Sequence, residues 1–82
     1  MNILLYRYNS ICEDAVIRGL RELGHNVAEV TLEMENKSPS GNEILSEVRE
    51  AVEKNNTDII FSINYYPVLS EICRVFKILY FS

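Results

Sequence analysis

The sequence alternates short apolar runs with longer segments in which apolar residues recur at helical spacing. The apolar runs cover residues 3–6, 27–34, 58–64 and 78–81. In the segments between them, apolar residues return every three or four positions, which is the period of an amphipathic helix. Strands that are separated by helices favour right-handed parallel crossovers. The pattern therefore predicts the order β-α-β-α-β-α-β in one parallel sheet.

Capping residues mark the predicted helix boundaries. Ser10 with Glu13, and Ser40 with Glu43, have the spacing of a capping box, in which each side chain accepts a hydrogen bond from the other residue's backbone N–H. Gly24 is suited to the left-handed position that follows a helix. These signals predict a first helix over residues 11–23 and a second helix after a loop at residues 36–41.

The second and third helices are predicted from their apolar faces and from a proline. Pro67 fits the first turn of the third helix because its missing N–H is not needed there. The second helix is predicted to bury five apolar side chains, those of Ile44, Leu45, Val48, Ala51 and Val52.

Charge distinguishes the predicted strands from one another. Residues 27–34 alternate, with Glu29 and Glu33 on one side, which is typical of a half-exposed edge strand. The other strands are apolar enough to lie inside. The expected spatial order is 2-1-3-4, in a three-layer Rossmann-like or flavodoxin-like α/β sheet. The 82 residues are expected to form a single domain over residues 1–82.

Composition excludes several classes of protein. Apolar residues make up 48% and charged residues 24% of the chain, which excludes global disorder. The net charge is −4 and there is no basic stripe, which argues against nucleic acid as a partner. No apolar run approaches the roughly 20 residues of a membrane span, and the first residues lack a signal peptide's features. With two distant cysteines, a reduced, cytoplasmic protein is expected.

A candidate site follows from the predicted strand order. Ligands of open parallel sheets bind beyond the carboxyl ends of the strands, where neighbouring connections diverge, here between the first and third strands. Aromatic faces pack on sugar rings and amides bond hydroxyls, so a polyhydroxyl ligand is predicted. Alternatively, the tyrosines only pack the rim and Ser10 only caps a helix. The candidate residues are Arg7, Tyr8, Asn9, Ser10, Asn64, Tyr65 and Tyr66.

Two phosphate-binding motifs are absent from the first strand-to-helix turn. Residues 7–12 contain no glycine, whereas a dinucleotide fingerprint needs glycines so that the backbone can approach the pyrophosphate. Cys12 and Arg18 have the spacing of a cysteine phosphatase loop. However, Glu13 and Asp14 lie between them and would repel phosphate, and they are better explained as charges that complement the helix dipole.

The remaining reactive residue types do not form a recognisable catalytic set. Cys73 occupies an apolar helical position and is predicted to lie in the core. His25 is the single histidine, so it is interpreted as a solvated loop residue rather than a metal ligand. No metal and no cofactor are expected.

Three stretches together resemble one protein family. They are residues 1–13 (MNILLYRYNSICE), 20–25 (LRELGH) and 61–70 (FSINYYPVLS). They resemble the N-terminal domain of bacterial glycosyltransferase-like proteins of the CgeB-like, group 1 type. The resemblance covers essentially the whole chain, and its most specific parts are residues 6–12 and 61–67. It implies a two-domain GT-B architecture, in which the C-terminal domain makes most nucleotide-sugar contacts and the N-terminal domain faces the acceptor.

The resemblance also implies that these residues are the first part of such an N-terminal domain. Related chains continue past the fourth strand into a second domain, whereas this sequence ends at Ser82. Nucleotide-sugar and acceptor are therefore expected partners of the full-length protein, with residues 7–10 and 64–66 lining its interdomain cleft. The 82 residues alone are expected to be inactive, and no catalytic residue is identified. The alternative is a non-catalytic flavodoxin-like binding or interaction module.

The last predicted strand favours self-association. Residues 78–81 are apolar on both faces, Lys77 is the one charge nearby, and no later segment of the sequence supplies a fifth strand. An unpaired strand edge is a template for pairing with another chain. A homodimer through residues 77–82 is therefore predicted.

Overall fold

The computed structural model describes residues 1–8, 12–35 and 39–82. Their strands are all parallel and lie in the order β2-β1-β3-β4. This confirms the predicted α/β fold and its strand order. The strands are β1 (Asn2–Tyr6), β2 (Asn26–Val30), β3 (Ile59–Phe61) and β4 (Leu79–Phe81), and the helices are α1 (Glu13–Glu22), α2 (Leu32–Glu35), α3 (Gly41–Asn55) and α4 (Pro67–Phe76).

The second strand is shorter than predicted, and this part of the sequence analysis was wrong. β2 ends at Val30, and Leu32 begins the four-residue helix α2. The pairing of β2 with β1 ends with Tyr6 opposite Val30. The N–H of Arg7 then donates to the Val30 carbonyl at 2.9 Å, which closes the ladder. Beyond that bond β1 offers no further partner, so the chain leaves the sheet and Leu32 packs on the core from a helix.

The helix ends follow the capping signals wherever these fall on described residues. The Ser40–Glu43 capping box forms in both directions, with N···O distances of 3.1 and 3.2 Å, and it starts α3. Gly24 follows α1 with a φ of +91°, and Pro67 is the first residue of α4. α1 begins at Glu13 rather than at residue 11, with Cys12 at the N-cap. Residues 9–11 and 36–38 lie outside the described residues, as does Ser10 of the first predicted capping box.

The sheet is covered by helices on both faces. α3 and α4 pack on one face, where Leu4, Tyr6, Val30 and Ile60 meet their apolar side chains. The crossover from β1 to β2 runs opposite to the later ones, so right-handed connections place α1 on the other face. There Ile3, Leu5 and Ile17 are buried. These are the three layers that the sequence predicts.

Two predictions about individual core positions have different outcomes. Cys73 is buried in the core cluster, as predicted. Leu45 was assigned to the apolar face of α3 but is exposed, whereas its neighbours Ile44 and Val48 are buried. Adjacent helical residues lie about 100° apart on the helix, so Leu45 falls beside the buried stripe rather than in it.

Candidate functional site

Aromatic rings gather beyond the carboxyl ends of β1 and β3. The ring of Tyr66, at the N-cap of α4, packs edge-to-face against Tyr6 and Tyr8, with centroid distances of 5.1 and 6.4 Å. The structure therefore brings together Tyr8 and Tyr66, which the sequence analysis placed in two facing loops. We call Tyr6, Tyr8 and Tyr66 the tyrosine cluster.

A carboxylate, that of Glu33, also lies beside this cluster. Tyr6 is fully buried, and Glu33, on α2, directs a buried carboxylate oxygen toward it. The Tyr6 hydroxyl faces the Glu33 carboxylate, and neither the Tyr6 hydroxyl nor Glu33 Oε2 has another hydrogen-bond partner among the described residues. Burial raises the pKa of Tyr6, and the facing Glu33 carboxylate raises it further. Buried polar groups are normally paired, and each of these two oxygens is the polar group that the other faces, so together they form the polar base of the cluster.

Tyr66 is held as a neutral phenol at the same place. Burial raises its pKa to about 12, and the nearby Glu33 carboxylate raises it in the same direction. Its backbone N–H donates to the Tyr80 hydroxyl at 3.0 Å, which fixes the start of α4. The cluster therefore presents neutral hydroxyls and ring faces beside one carboxylate.

Arg7 points to a different part of the molecule. Its guanidinium binds the carboxylates of Glu13 at 3.2 Å, Asp14 at 2.9 Å and Glu29 at 2.7 Å. Arg21 also reaches Glu29, at 3.4 Å. We call these five residues the Arg7 network. It joins β1, α1 and β2, and every contact found for the guanidinium lies on that side.

The Arg7 network also positions the backbone beneath the tyrosine cluster. Glu13 is fully buried, and its Oε2 accepts a hydrogen bond from the Tyr8 N–H at 2.9 Å. The carboxylate that the sequence analysis assigned to the helix dipole therefore also fixes the first residues after β1. Asn9 and Ser10, the other candidates in this loop, lie outside the described residues.

The loop after β3 is held by two hydroxyls, that of the buried Ser62 and that of the partly buried Tyr80. The Ser62 Oγ donates to the Asn64 carbonyl at 2.5 Å and is 2.6 Å from the Tyr80 hydroxyl. The side chains of Asn64 and Tyr65 are exposed, and the Tyr65 ring lies 5.8 Å from that of Tyr80. Asn64 and Tyr65 thus lie at the rim, beside Tyr66 in sequence, but no described contact joins them to Tyr8.

Glu33, Ser62 and Tyr80 were missed by the sequence analysis. Glu33 was assigned to the solvated side of a strand, but the chain turns into α2 before reaching it. One signal was available, because Glu33 follows directly on a strand that pairs with β1 and so falls at the same edge of the sheet as Tyr6. Ser62 and Tyr80 are separated by 18 residues, and only the strand pairing brings them together.

The other candidate reactive groups do not form a site among the described residues. Burial raises the pKa of the Cys73 thiol to about 11, which makes it a poor nucleophile. His25 was expected to be solvated, but it is half-buried just after α1, where its N–H donates to the Leu20 carbonyl. Over the described residues, no group of three His, Cys, Asp or Glu side chains is arranged to hold a metal ion.

Neither the helices nor the comparisons with known proteins add a further assignment. Within residues 1–8, 12–35 and 39–82, no helix has both the length and the apolar character needed to cross a membrane. No protein-family model matches the chain, and no curated protein or solved structure matches it either.

Proposed function

We propose that the tyrosine cluster and Glu33 form a binding site for a polyhydroxyl ligand, and that this site is the acceptor side of a glycosyltransferase. In this proposal the parent protein transfers a sugar from a nucleotide-sugar donor, and it is cytoplasmic. The observation that carries the proposal is the packing of the Tyr8 and Tyr66 rings beside the buried Tyr6 hydroxyl and the Glu33 carboxylate, at the point where the strand connections diverge.

The chemistry of the site suits a neutral sugar. Glu33 is half-buried, so its carboxylate can accept a hydrogen bond from a sugar hydroxyl at the rim of the cluster. The ring faces of Tyr8 and Tyr66 offer apolar area for the C–H face of a pyranose. The resemblance to the N-terminal domain of group 1 glycosyltransferase-like proteins supports the same assignment, with the donor held elsewhere in the parent protein. The chain by itself is then a binding unit without transfer activity.

A non-catalytic binding module is the second candidate, and the Arg7 network bears on both candidates. Arg7 is the cation next to the tyrosine cluster in sequence, yet its guanidinium is neutralised by three carboxylates. A phosphate-bearing donor would have to compete with all of them. This favours neutral ligands in either candidate, and detection of sugar transfer by the full-length protein distinguishes the two.

The binding proposal can be tested by nuclear magnetic resonance titration of the chain. Neutral oligosaccharides should shift the signals of Tyr8 and Tyr66 with dissociation constants in the millimolar range, equivalent to about 4 kcal/mol. UDP-, GDP- and dTDP-sugars should bind no more tightly. The substitution Glu33→Gln should weaken saccharide binding about tenfold, because it removes a charged acceptor. Glu22→Gln, on the exposed end of α1, is the matched control and should leave binding unchanged.

Two results would contradict the proposal. Micromolar binding of any nucleotide-sugar would assign the donor rather than the acceptor to this surface. Absence of shifts at Tyr8 and Tyr66 with every saccharide tested would remove the site altogether.

We also propose that a second copy of the chain is a partner, at the β4 edge of the sheet. This surface is separate from the tyrosine cluster.

A further inference from the structure

Tyr8, which carries one ring of the tyrosine cluster, lies beyond the reach of the sheet. The pairing of β1 with β3 ends at Leu5, and its pairing with β2 ends at Tyr6. The bond from the Arg7 N–H to the Val30 carbonyl, at 2.9 Å, closes the β2 side. The Tyr8 N–H is therefore held only if a group from outside the strands accepts its hydrogen bond.

Glu13 supplies that group. Its Oε2 accepts from the Tyr8 N–H at 2.9 Å, and its Oε1 accepts from the Arg7 Nε–H at 3.2 Å. Glu13 is the first residue of α1 and is 0% exposed. A buried carboxylate requires such partners, and here the two donors belong to consecutive residues. The carboxylate therefore fixes the backbone of Tyr8 relative to α1.

The two bridged residues direct their side chains to different places. The Arg7 guanidinium contacts the carboxylates of α1 and β2, among them Glu29. The Tyr8 ring instead packs edge-to-face on Tyr66, with a centroid distance of 6.4 Å. The bridge at Glu13 thus connects the Arg7 network to the ring contact that defines the candidate site.

We propose, on the basis of the function proposed above, that Glu13 is a positioning residue of the ligand site: its bridge holds the Tyr8 ring against Tyr66, so that the two rings present one apolar surface to the saccharide. Glu13 itself touches no ligand in this arrangement, because its carboxylate lies buried beneath the Tyr8 backbone.

The bridge requires a carboxylate at this position. Both oxygens of a carboxylate accept hydrogen bonds, whereas an amide of the same size offers one acceptor and one donor group. Glutamine at position 13 therefore sets its NH₂ group against one of the two donors. Since a bond from the charged guanidinium of Arg7 is the stronger, the amide oxygen should stay with Arg7. The Tyr8 N–H then loses its partner.

Hydrogen exchange tests the starting point in the unmodified chain. The Tyr8 amide should exchange at least about tenfold more slowly than an unbonded amide, although it lies beyond both strand ladders. Exchange at the unbonded rate would overturn the proposal, because Glu13 would then not hold this residue.

The substitution Glu13→Gln tests the consequence for the rings and for binding. In the free protein, the nuclear Overhauser contacts between the Tyr8 and Tyr66 rings should be lost. Binding of maltotriose or cellotriose should weaken about tenfold. Glu53→Gln is the matched control, since it also changes an arginine-paired carboxylate, that of the exposed Arg49 pair on α3, and should change neither result. Circular dichroism checks that each variant is folded.

The double variant Arg7→Gln, Glu13→Gln tests the bridge by rescue. The amide oxygen of Gln lies the same number of bonds from the backbone as Arg Nε, so at position 7 it can accept from the new amide at position 13. The oxygen at position 13 is then free for the Tyr8 N–H, and the ring contacts and saccharide affinity should return. A purely structural role predicts the opposite, because the double variant removes more of the Arg7 network. If Glu13→Gln alone does not fold, this variant and Tyr8 exchange decide.

The outcomes separate the positioning of Tyr8 from the proposed function. Ring contacts that persist in folded Glu13→Gln would overturn the role of Glu13, whatever the chain binds. Lost contacts with unchanged saccharide affinity would overturn it as well. If the unmodified chain binds no saccharide, the proposed function fails. Loss of the ring contacts in free Glu13→Gln would then still confirm that Glu13 positions Tyr8.

Discussion

The two edges of this sheet are exposed to solvent in different ways. At the β2 edge, α1 packs beside the strand. Arg7, just after β1, and Arg21, on α1, both bind Glu29. At the β4 edge, Leu79 and Phe81 are exposed, and the structure shows no ion pair on the strand within the described residues. Charge and a covering helix protect an edge from pairing with other chains. Within the described residues, the β2 edge is therefore covered by a helix and by charge, whereas the β4 edge is covered by neither.

Burial along one face of the sheet also falls from the central strand β1 to the edge strand β4. Leu5, on β1 beneath α1, is 0% exposed, whereas Leu79, on the same face of β4, is 62% exposed. The residue type is identical, so the difference arises from position: β1 is flanked by two strands, whereas β4 pairs with one strand within the described residues. An apolar strand in the sequence therefore indicates a need for burial, but it does not show whether the chain itself meets that need.

The largest expected effect comes from a matched pair of leucine substitutions, one on β1 and one on β4. Leu5→Ala should lower the free energy of unfolding by about 2–5 kcal/mol, because it leaves a cavity under α1. Leu79→Ala should change it by less than about 0.5 kcal/mol in the monomer, since it removes an exposed side chain. Urea denaturation at low protein concentration measures both. Equal losses would mean that β4 is covered in the monomer as well as β1.

The next effect concerns the charges at the β2 edge. Arg7→Ala should cost about 2–3 kcal/mol of unfolding free energy, because it removes a partner of the buried Glu13 carboxylate. Arg49→Ala is the control, since it removes an exposed pair with Glu53 one turn along α3 and should cost less than about 0.5 kcal/mol. If the two substitutions cost the same, the Arg7 network contributes no more than a surface ion pair.

Much of the fold could be predicted from the sequence because its signals are local. Apolar runs, capping residues and the charges of the edge strand are read from neighbours along the chain, and they predicted the strand order. α2 could not be predicted, because β2 ends where β1 stops offering hydrogen bonds, which is a property of the pair. The same holds for Arg7, whose carboxylate partners lie 6, 7 and 22 residues away.

The same distinction applies to the candidate site, where some residues were predictable and others depended on packing. Tyr8 and Tyr66 were predicted to face each other because topology alone places the two loops at one edge of the sheet. Glu33 was missed because its position depends on where β2 ends. The approach of Glu33 to the buried Tyr6 hydroxyl is a property of packing that no spacing in the sequence indicates.

The smallest expected effect concerns the uncharged hydrogen bonds that the Tyr80 hydroxyl of β4 makes with the loop after β3. The Tyr80 hydroxyl bonds to the buried Ser62 Oγ at 2.6 Å and accepts from the Tyr66 N–H at 3.0 Å. Tyr80→Phe leaves that N–H without its partner and should cost about 1–2 kcal/mol of unfolding free energy. Because these groups are uncharged, the loss should be the same at low and high salt, whereas the loss from Arg7→Ala should shrink as salt screens its partly exposed partners.

Tyr65→Phe provides the control for this prediction. Tyr65 lies against the Tyr80 ring but is exposed, so removing its hydroxyl should cost less than about 0.5 kcal/mol. Tyr80→Phe keeps the backbone groups that point outward from β4, so the dimer proposed for that edge should persist in this variant. A salt-dependent loss for Tyr80→Phe would show that β4 is anchored through charge like β2, and the contrast between the two edges would then rest on their side chains alone.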